Sequence, residues 1–196
     1  ARKLDITIFS SPFDNTAVDL LEDLNTPAYK IASFEAIDLP LIKYVAQTGK
    51  PMIISTGMAD AEEIQEAIDA AKEGGCKELA ILHCVSGYPS DPRESNIKTI
   101  PHLSEAFEVL SGLSDHTHGT AVAVGAIALG AHVIEKHYTL RRADGGPDAS
   151  FSLEPDELAA LVRDTKTAWE ALGEVNYERT EGEEDSLVFR RSLYVV

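Results

Sequence analysis

The sequence predicts an α/β protein of the (β/α)8 barrel type (a TIM-type barrel), of which this chain carries about six strand–helix units. Two observations support this prediction. Short apolar runs alternate with amphipathic helical runs along the chain, which implies parallel strands joined by right-handed crossovers. Almost every strand run also ends in a cluster of small polar residues. The alternation alone would equally suit a doubly wound open sheet, so the polar clusters decide between the two folds.

The strand runs are short and rich in apolar or β-branched residues. They cover residues 4–10, 29–33, 52–56, 79–86, 110–115 and 132–139. In the first run, Leu4, Ile6 and Ile8 alternate with Asp5 and Thr7. This period of two is typical of a half-buried strand.

The helical runs between them show buried faces and end signals. Two runs carry an apolar stripe at the i, i+3, i+4 spacing of one helix face. The first stripe is Ala17, Leu20, Leu21 and Leu24, and the last is Leu158, Leu161, Val162, Thr165 and Trp169. Asp60 with Glu63 resembles a capping box, and Gly74, Gly130 and Gly173 each predict a helix end.

Polar residues gather where the strand runs end. The clusters are FSSPF at 9–13, KIASFE at 30–35, STGM at 55–58, HCVSGYP at 83–89, SDHT at 114–117 and EKHY at 135–138. A barrel builds its active site from the carboxyl ends of several strands, whereas an open sheet concentrates function at one switch point. The sequence contains no glycine-rich dinucleotide fingerprint and no Walker loop. These patterns favour the barrel.

Three residues in these clusters are the strongest candidates for chemistry. Lys30 lies inside an apolar run, where a lysine is rarely buried without a partner. We expect it to bind a carboxylate or phosphate, and the alternative is an edge lysine that reaches solvent. His116 and His137 end adjacent strands beside Asp115 and Glu135. Neutral imidazoles with carboxylate neighbours are common metal ligands, so this pair predicts a metal site.

Other polar residues have equally good structural explanations. Serines at strand ends can be turn formers, and this applies to Ser33, Ser55 and Ser86. Four further histidines are expected to serve packing, the surface or helix starts: His83, His102, His118 and His132. The charged, glycine-rich segment 141–148 suits an ordered binding loop, with a solvated loop as the alternative. Cys76 and Cys84 show no metal or redox spacing.

Composition excludes several classes of function. The net charge of −16 argues against nucleic acid, whose phosphates need a basic surface. It also means that a site for an anionic substrate must supply its own cations. No apolar run approaches the roughly 20 residues that span a bilayer, and we expect no membrane partner and a cytoplasmic location. Residues 174–186 are acidic and predict a solvated connector.

The motifs FSSPFD, YKIASFE, ISTGM, LHCVSGYP, GLSDHT and GAHVIEKHYTL, in this order, resemble those of the sialic acid synthase family. The resemblance spans nearly the whole chain. It implies a (β/α)8 barrel whose first two strands precede this chain, with the partial barrel at residues 1–173. Residues 174–196 would then lead toward a small antifreeze-like domain. The family also implies a homodimer.

The resemblance implies a role for each matching residue. Phosphoenolpyruvate would be held by Ser11, Lys30, Ser33, Ser86 and Ser114. Ser86 stands where N-acetylneuraminate synthases usually carry asparagine, which leaves its contact open. The amino-sugar side would be formed by Glu35, Ser55, Tyr88 and Asp148. His116 and His137 would be the two protein ligands of manganese or magnesium, and with Lys30 they would carry the catalysis.

The implied reaction is a condensation of phosphoenolpyruvate with an N-acetylated amino-sugar aldehyde, with release of phosphate. The sequence KIASFE and the closing Arg191-Ser192-Leu193-Tyr194 look most like the pseudaminic acid branch. N-acetylneuraminate and legionaminate synthases stay as alternatives. Two other readings are a Schiff-base aldolase that uses Lys30, and a barrel fragment that only binds or assembles without turnover.

Overall fold

The structure is a computed structural model that describes residues 1–190. Its sheet consists of five parallel strands: β1 (Tyr29–Ile31), β2 (Met52–Ser55), β3 (Leu79–Cys84), β4 (Leu110–Asp115) and β5 (Ile134–Lys136). The strands are neighbours in chain order, β1-β2-β3-β4-β5. A doubly wound sheet reverses its strand order at a switch point, and this sheet does not. The architecture is therefore part of a (β/α) barrel wall, as predicted.

One helix precedes the first strand, and the others separate or follow the strands. They are α1 (Asn15–Asp23), α2 (Leu39–Ala46), α3 (Ala61–Glu73), α4 (Thr99–Phe107), α5 (Ala121–Ala128) and α6 (Pro155–Leu172). The predicted capping box at the start of α3 is confirmed, because the Asp60 carboxylate accepts from the backbone of Glu63 and the Glu63 carboxylate accepts from the backbone of Asp60. Gly74 is the C-cap of α3 and Gly173 that of α6, as predicted.

The two faces of the sheet have different chemistry. Successive side chains of a strand point to opposite faces. On one face, Tyr29, Ile31 and Ile54 are at most 1% exposed and join a core with α2 and α3, represented by Ile42 and Ile68. The alternate strand positions face the barrel interior and carry polar side chains toward the carboxyl ends. This separation places the hydrophobic core behind the sheet and leaves the interior for a site.

The segment 4–10 is not the strand that its alternation predicts. It begins with a 3-10 helix, Arg2–Leu4, and joins the sheet only through a parallel bridge between Ser10 and Tyr29. Leu4, Ile6 and Ile8 are 59–72% exposed. Within the described part of the chain, this segment has a neighbouring strand on one side only and no helix layer over its apolar residues. Because β5 also has a single neighbouring strand in the described sheet, the missing cover over the apolar side chains is what distinguishes this segment from a strand.

The two predicted apolar stripes are correct in spacing, but the structure buries only part of each. In α1 the buried residue is Val18, whereas Leu20 and Leu24 are about 60% exposed. In α6 only Leu161 of the stripe is buried, while Val162 and Trp169 are more than 60% exposed. The helix spacing shows that one face is apolar, but the neighbouring helices determine how much of that face they cover.

Residues 174–190 are exposed throughout and include a 3-10 helix, Glu181–Phe189. The division into a barrel at 1–173 and a connector at 174–196 stays a prediction. The closing motif at residues 191–194 lies outside the described residues. Within residues 1–190, none of the helices combines the length and the apolar character needed to cross a bilayer.

Candidate active site

The predicted site residues meet at the carboxyl ends of the strands. The register pairs Cys84 of β3 with Ser114 of β4, and Ser114 with Glu135 of β5. Lys30 of β1 and Ser55 of β2 face the same interior side, where the Lys30 ammonium contacts the Ser55 hydroxyl. All five strands of the sheet therefore contribute side chains to one cluster, because parallel strands bring all their carboxyl ends to one edge.

Lys30 is the centre of this cluster and is only 7% exposed. Its Nζ donates to Ser55 Oγ at 2.7 Å and to the Ile31 carbonyl at 3.3 Å. The same Nζ lies 3.4 Å from Glu135 Oε2, and Glu135 Oε1 accepts from Ser114 Oγ at 2.6 Å. The alternative of an edge lysine reaching solvent is wrong for this residue. The buried Lys30 ammonium provides local positive charge for an anion in an acidic protein, and the Glu135 carboxylate offsets part of that charge.

Glu135 is the acidic residue of this cluster and contacts both Lys30 and Ser114. From the sequence, Glu135 was predicted only as a carboxylate neighbour of the histidines. Its position within EKH at the end of β5 was the available signal, because a strand residue next to an outward-facing one must face inward.

Glu35 lies in the 3-10 turn Ser33–Glu35, directly after β1. Its Oε2 is buried and makes no hydrogen bond within the described residues. Burial raises the pKa of this carboxyl, and the nearby Lys30 charge opposes the rise only in part. A buried carboxyl without a partner usually has a functional explanation. Glu35 can accept a hydrogen bond from a ligand hydroxyl or donate one when it is protonated.

Two of the candidate serines are separated by the backbone of Gly57. A Cβ atom on Gly57 would lie 2.2 Å from Ser33 Cβ and 2.7 Å from Ser86 Oγ. Gly57 also has a φ of +34°, a left-handed value that favours glycine. Ser33 Oγ donates to Cys84 Sγ at 3.4 Å. Only glycine fits between these side chains, so Gly57 belongs to the site although its role was not foreseen from the STGM cluster.

His116 and His137 stand side by side, with ring centroids 5.1 Å apart. His116 is 5% exposed, and its Nδ1 lies 3.1 Å from the Val85 carbonyl. Because a carbonyl can only accept, this contact assigns the proton to Nδ1 and leaves the Nε2 lone pair available. His137 Nδ1 lies 3.5 Å from Asp148 Oδ2. His116 is thus oriented through Nδ1, while His137 has a carboxylate near its own Nδ1.

Burial lowers the pKa of both histidines, and for His137 the adjacent His116 lowers it further. The neutral imidazole is the form that binds metal. Within residues 1–190, no group of three or more histidine, cysteine, aspartate or glutamate side chains converges on a metal position. The donor set is therefore two neutral imidazoles, which fits a divalent ion that takes the rest of its coordination from water and substrate.

Aromatic rings pack around the histidine pair. The Tyr88 ring lies 4.3 Å from His116 between centroids, and the Phe151 ring lies 5.0 Å from His137. Phe151 is 3% exposed and was not among the predicted residues, since one apolar residue after a charged loop carries no distinctive signal. Tyr88 is 46% exposed, so it can meet a ligand, whereas Phe151 supports the ring of His137 from within.

Ser11 and His83 are two further residues for which the sequence made a prediction. Ser11 is half-buried beside Ser10, whose carbonyl accepts from the Lys30 amide at 3.2 Å. Its contact with a substrate stays a prediction. His83 is separate from the pair, since its Nε2 lies 2.7 Å from the Ser95 carbonyl and burial lowers its pKa. This agrees with the packing role expected for it.

Comparison with known proteins identifies the family of this chain. The model of the NeuB family matches residues 1–177. The chain is 43% identical over 200 residues to the pseudaminic acid synthase of Helicobacter pylori, covering 100% of this chain and 58% of that protein. It is 40% identical over 196 residues to the N,N'-diacetyllegionaminic acid synthase of Campylobacter jejuni, covering 98% of this chain and 59% of that protein. The chain thus spans about three-fifths of the length of these relatives.

Solved structures agree in fold. The crystal structure of N-acetylneuraminic acid synthetase from Leptospira borgpetersenii, in complex with citrate, superposes with a TM-score of 0.88 at 35% identity, covering 98% of this chain and 67% of that one. Phospho-2-dehydro-3-deoxyheptonate aldolase from Thermotoga maritima gives a TM-score of 0.77 at 17% identity, covering 88% of this chain and 53% of that one. At that identity the second likeness concerns the fold alone.

Proposed function

The chain belongs to the NeuB family of sialic-acid-type synthases, and we therefore propose that it forms part of the catalytic barrel of an enzyme. This enzyme would condense phosphoenolpyruvate with an N-acetylated amino-sugar aldehyde. The products are a nonulosonic acid and inorganic phosphate. One observation carries the proposal. A buried lysine, Lys30, contacts the Ser55 hydroxyl and the Glu135 carboxylate at the strand ends, on the same site as two adjacent neutral histidines.

The carbon–carbon step requires two substrates held close together. C3 of phosphoenolpyruvate attacks the aldehyde carbon, and water adds to C2, after which phosphate leaves. Lys30, Ser33 and Ser114 are the donors proposed to hold the carboxylate and phosphate of phosphoenolpyruvate, with Ser11 and Ser86 at its edge. Holding both reactants in register contributes most of the rate in such a reaction, because positioning replaces a bimolecular encounter.

The sugar side is proposed to consist of Glu35, Ser55, Tyr88 and Asp148. Glu35 offers a buried oxygen without a partner, which suits a sugar hydroxyl or amide. Tyr88 is half-exposed beside His116, and an aromatic ring of this kind can cover the apolar face of an open-chain sugar. We infer that Ser55 acts mainly through Lys30, since its hydroxyl already accepts from that ammonium.

His116 and His137 are proposed to hold a manganese or magnesium ion. The ion would supply Lewis-acid polarisation of the aldehyde carbonyl. The Nε2 lone pair of His116 is available for this, since Nδ1 is engaged by the Val85 carbonyl. Asp148 lies next to the Nδ1 of His137 and orients that ring.

Among the family's activities we propose pseudaminic acid synthesis first. The sequence KIASFE at 30–35 favours that branch, and the identity to the Helicobacter pylori enzyme is 43% against 40% for the legionaminic acid enzyme. Legionaminate and N-acetylneuraminate synthesis are the alternatives, because a change of one hydroxyl or acetamido group on a substrate is read by only a few side chains.

The test measures phosphate release from phosphoenolpyruvate with manganese and each of three amino-sugar aldehydes, one per branch. We expect turnover with the pseudaminic precursor, and Lys30→Met should abolish it while Lys50→Met should not. Release with none of the three would leave the chain a binding module without turnover. Covalent trapping of Lys30 by pyruvate and borohydride would instead support the Schiff-base aldolase. A cytoplasmic location and a homodimer stay predictions.

A further inference from the structure

Behind the histidine pair lies a buried ion pair that the proposed reaction does not use. Lys136 Nζ lies 2.8 Å from Asp115 Oδ2, and the two side chains are only 4% and 1% exposed. Lys136 Nζ also donates to the carbonyl of Thr117. Both ions are removed from water, so their attraction is screened far less than that of a surface pair.

The pair lies on the helix side of the sheet, opposite the interior cluster of Lys30, Ser55, Ser114 and Glu135. Ser114 and Glu135 face the interior, where their side chains bond to each other. Asp115 and Lys136 are the next residues of the same strands and are register partners. Neighbouring residues of a strand point to opposite faces, so the ion pair lies behind the sheet.

The histidines are the residues that follow this pair. Asp115 is followed by His116, and Lys136 is followed by His137. The ion pair is thus the last cross-strand link between β4 and β5 before the chain leaves the sheet at both imidazoles. A shift of one strand end along the other would separate the two rings.

Asp115 also shapes the turn that carries His116. Its Oδ1 accepts from the Thr117 amide at 2.8 Å and from the Thr117 hydroxyl at 2.7 Å. Because Lys136 donates to the Thr117 carbonyl as well, the residues on both sides of His116 are tied to β5. The backbone of His116 has little freedom to move independently of His137.

We propose that the Asp115–Lys136 pair is a positioning pair, which sets the separation and orientation of His116 and His137 for a divalent metal. The proposal rests on the metal role given above. It assigns Asp115 and Lys136 no contact with substrate or metal. Their effect is to hold two neutral imidazoles side by side, which two separate loop ends would not do without a cross-link.

The test compares wild type with Lys136→Met, Asp115→Asn and the double variant. Each single variant leaves one buried charge unpaired and should lower the melting temperature. The double variant removes both charges, so its melting temperature should recover toward wild type. Its manganese affinity, measured by calorimetric titration, should nevertheless stay at least tenfold weaker than wild type. A general loss of stability would not separate these two readouts in this way.

A second readout does not depend on metal. Nitrogen-15 NMR of the imidazoles should show the Nδ1-protonated form of His116 in wild type and a mixture of tautomers in the double variant. The control is Lys50→Met, which removes the 2.6 Å ion pair between Glu22 of α1 and the segment before the amino end of β2, and it should leave both readouts unchanged.

The outcomes separate this proposal from the metal assignment. If the folded double variant binds manganese as wild type does, or keeps the wild-type imidazole spectrum, the positioning role is wrong. If wild type binds no manganese but the spectrum changes as expected, the pair positions the histidines and the metal assignment fails instead.

Discussion

Replacing Lys30 with methionine is the substitution that examines the site most directly. Methionine is unbranched and of similar length, so it can fill the space of the lysine stem without its charge. The change removes the hydrogen bond to Ser55 Oγ and the approach to Glu135 Oε2. Glu135 keeps its hydrogen bond from Ser114, and Ser55 can turn its hydroxyl toward another acceptor.

The expected losses differ for binding and for folding. A hydrogen bond from an ammonium to an anion is worth about 1.5–3 kcal/mol. Losing it should raise the dissociation constant for phosphoenolpyruvate about 10- to 140-fold. The stability cost should be below about 1 kcal/mol, because Glu135 is partly exposed to water and an apolar side chain replaces the buried ammonium. Binding should therefore fall much more than stability.

Calorimetric titration of phosphoenolpyruvate, with a thermal melt of the same sample, measures both quantities. Lys50→Met is the matched control, since it removes a lysine of an ion pair at the opposite end of the strands from the carboxyl-end cluster. Wild type and the control should bind phosphoenolpyruvate with the same dissociation constant.

Two results would contradict this reasoning. Binding by Lys30→Met within twofold of wild type would show that Lys30 does not hold the anion. A melting temperature lowered as much as that of a core truncation such as Ile42→Ala would show that Lys30 is needed for folding, and any loss of binding would then have a structural cause.

Three further predictions concern other parts of the molecule. Ser111→Ala should leave the stability unchanged or raise it by up to about 1 kcal/mol in urea unfolding, because Ser111 Oγ is buried without a hydrogen-bond partner among the described residues; a loss above that size would reveal an unseen partner. Gly57→Ala should weaken phosphoenolpyruvate binding at least tenfold by collision with Ser33, whereas Gly49→Ala, also left-handed but with open space around its Cβ, should not. Stability should fall as the pH decreases below about 6.5, because burial lowers the pKa of three histidines and the unfolded chain then binds more protons than the folded one; a flat profile of melting temperature from pH 7.5 to 5.5 would contradict this. These histidines are His83, His116 and His137.

The sequence was sufficient for those features that depend on local order. Alternation of strand and helix runs predicts parallel neighbours, and the structure confirms the order β1 to β5. Clusters at strand ends predict a shared site, because parallel strands bring their ends to one edge. The shared location of Lys30 and the two histidines at this edge could therefore be predicted before any distance was known.

Features that depend on packing partners could not be predicted in this way. The alternation of Leu4, Ile6 and Ile8 is real, yet these residues are exposed, because period-two patterning records a preference that only a neighbouring layer can satisfy. Likewise, Gly57 is required by the side chains on both sides of it. Phe151 packs on His137 from the far side of the loop that follows β5. Each of these depends on contacts far apart in sequence.

The triplets Ser-Asp-His at 114–116 and Glu-Lys-His at 135–137 show how one register serves three purposes. Because β4 and β5 pair Ser114 with Glu135 and Asp115 with Lys136, the first position of each triplet faces the barrel interior, where the two side chains form a hydrogen bond. The second forms the buried ion pair behind the sheet, and the third presents an imidazole. A slip of one residue would exchange the faces of the polar and ionic pairs. The buried charges therefore specify the register on which the arrangement of both histidines depends.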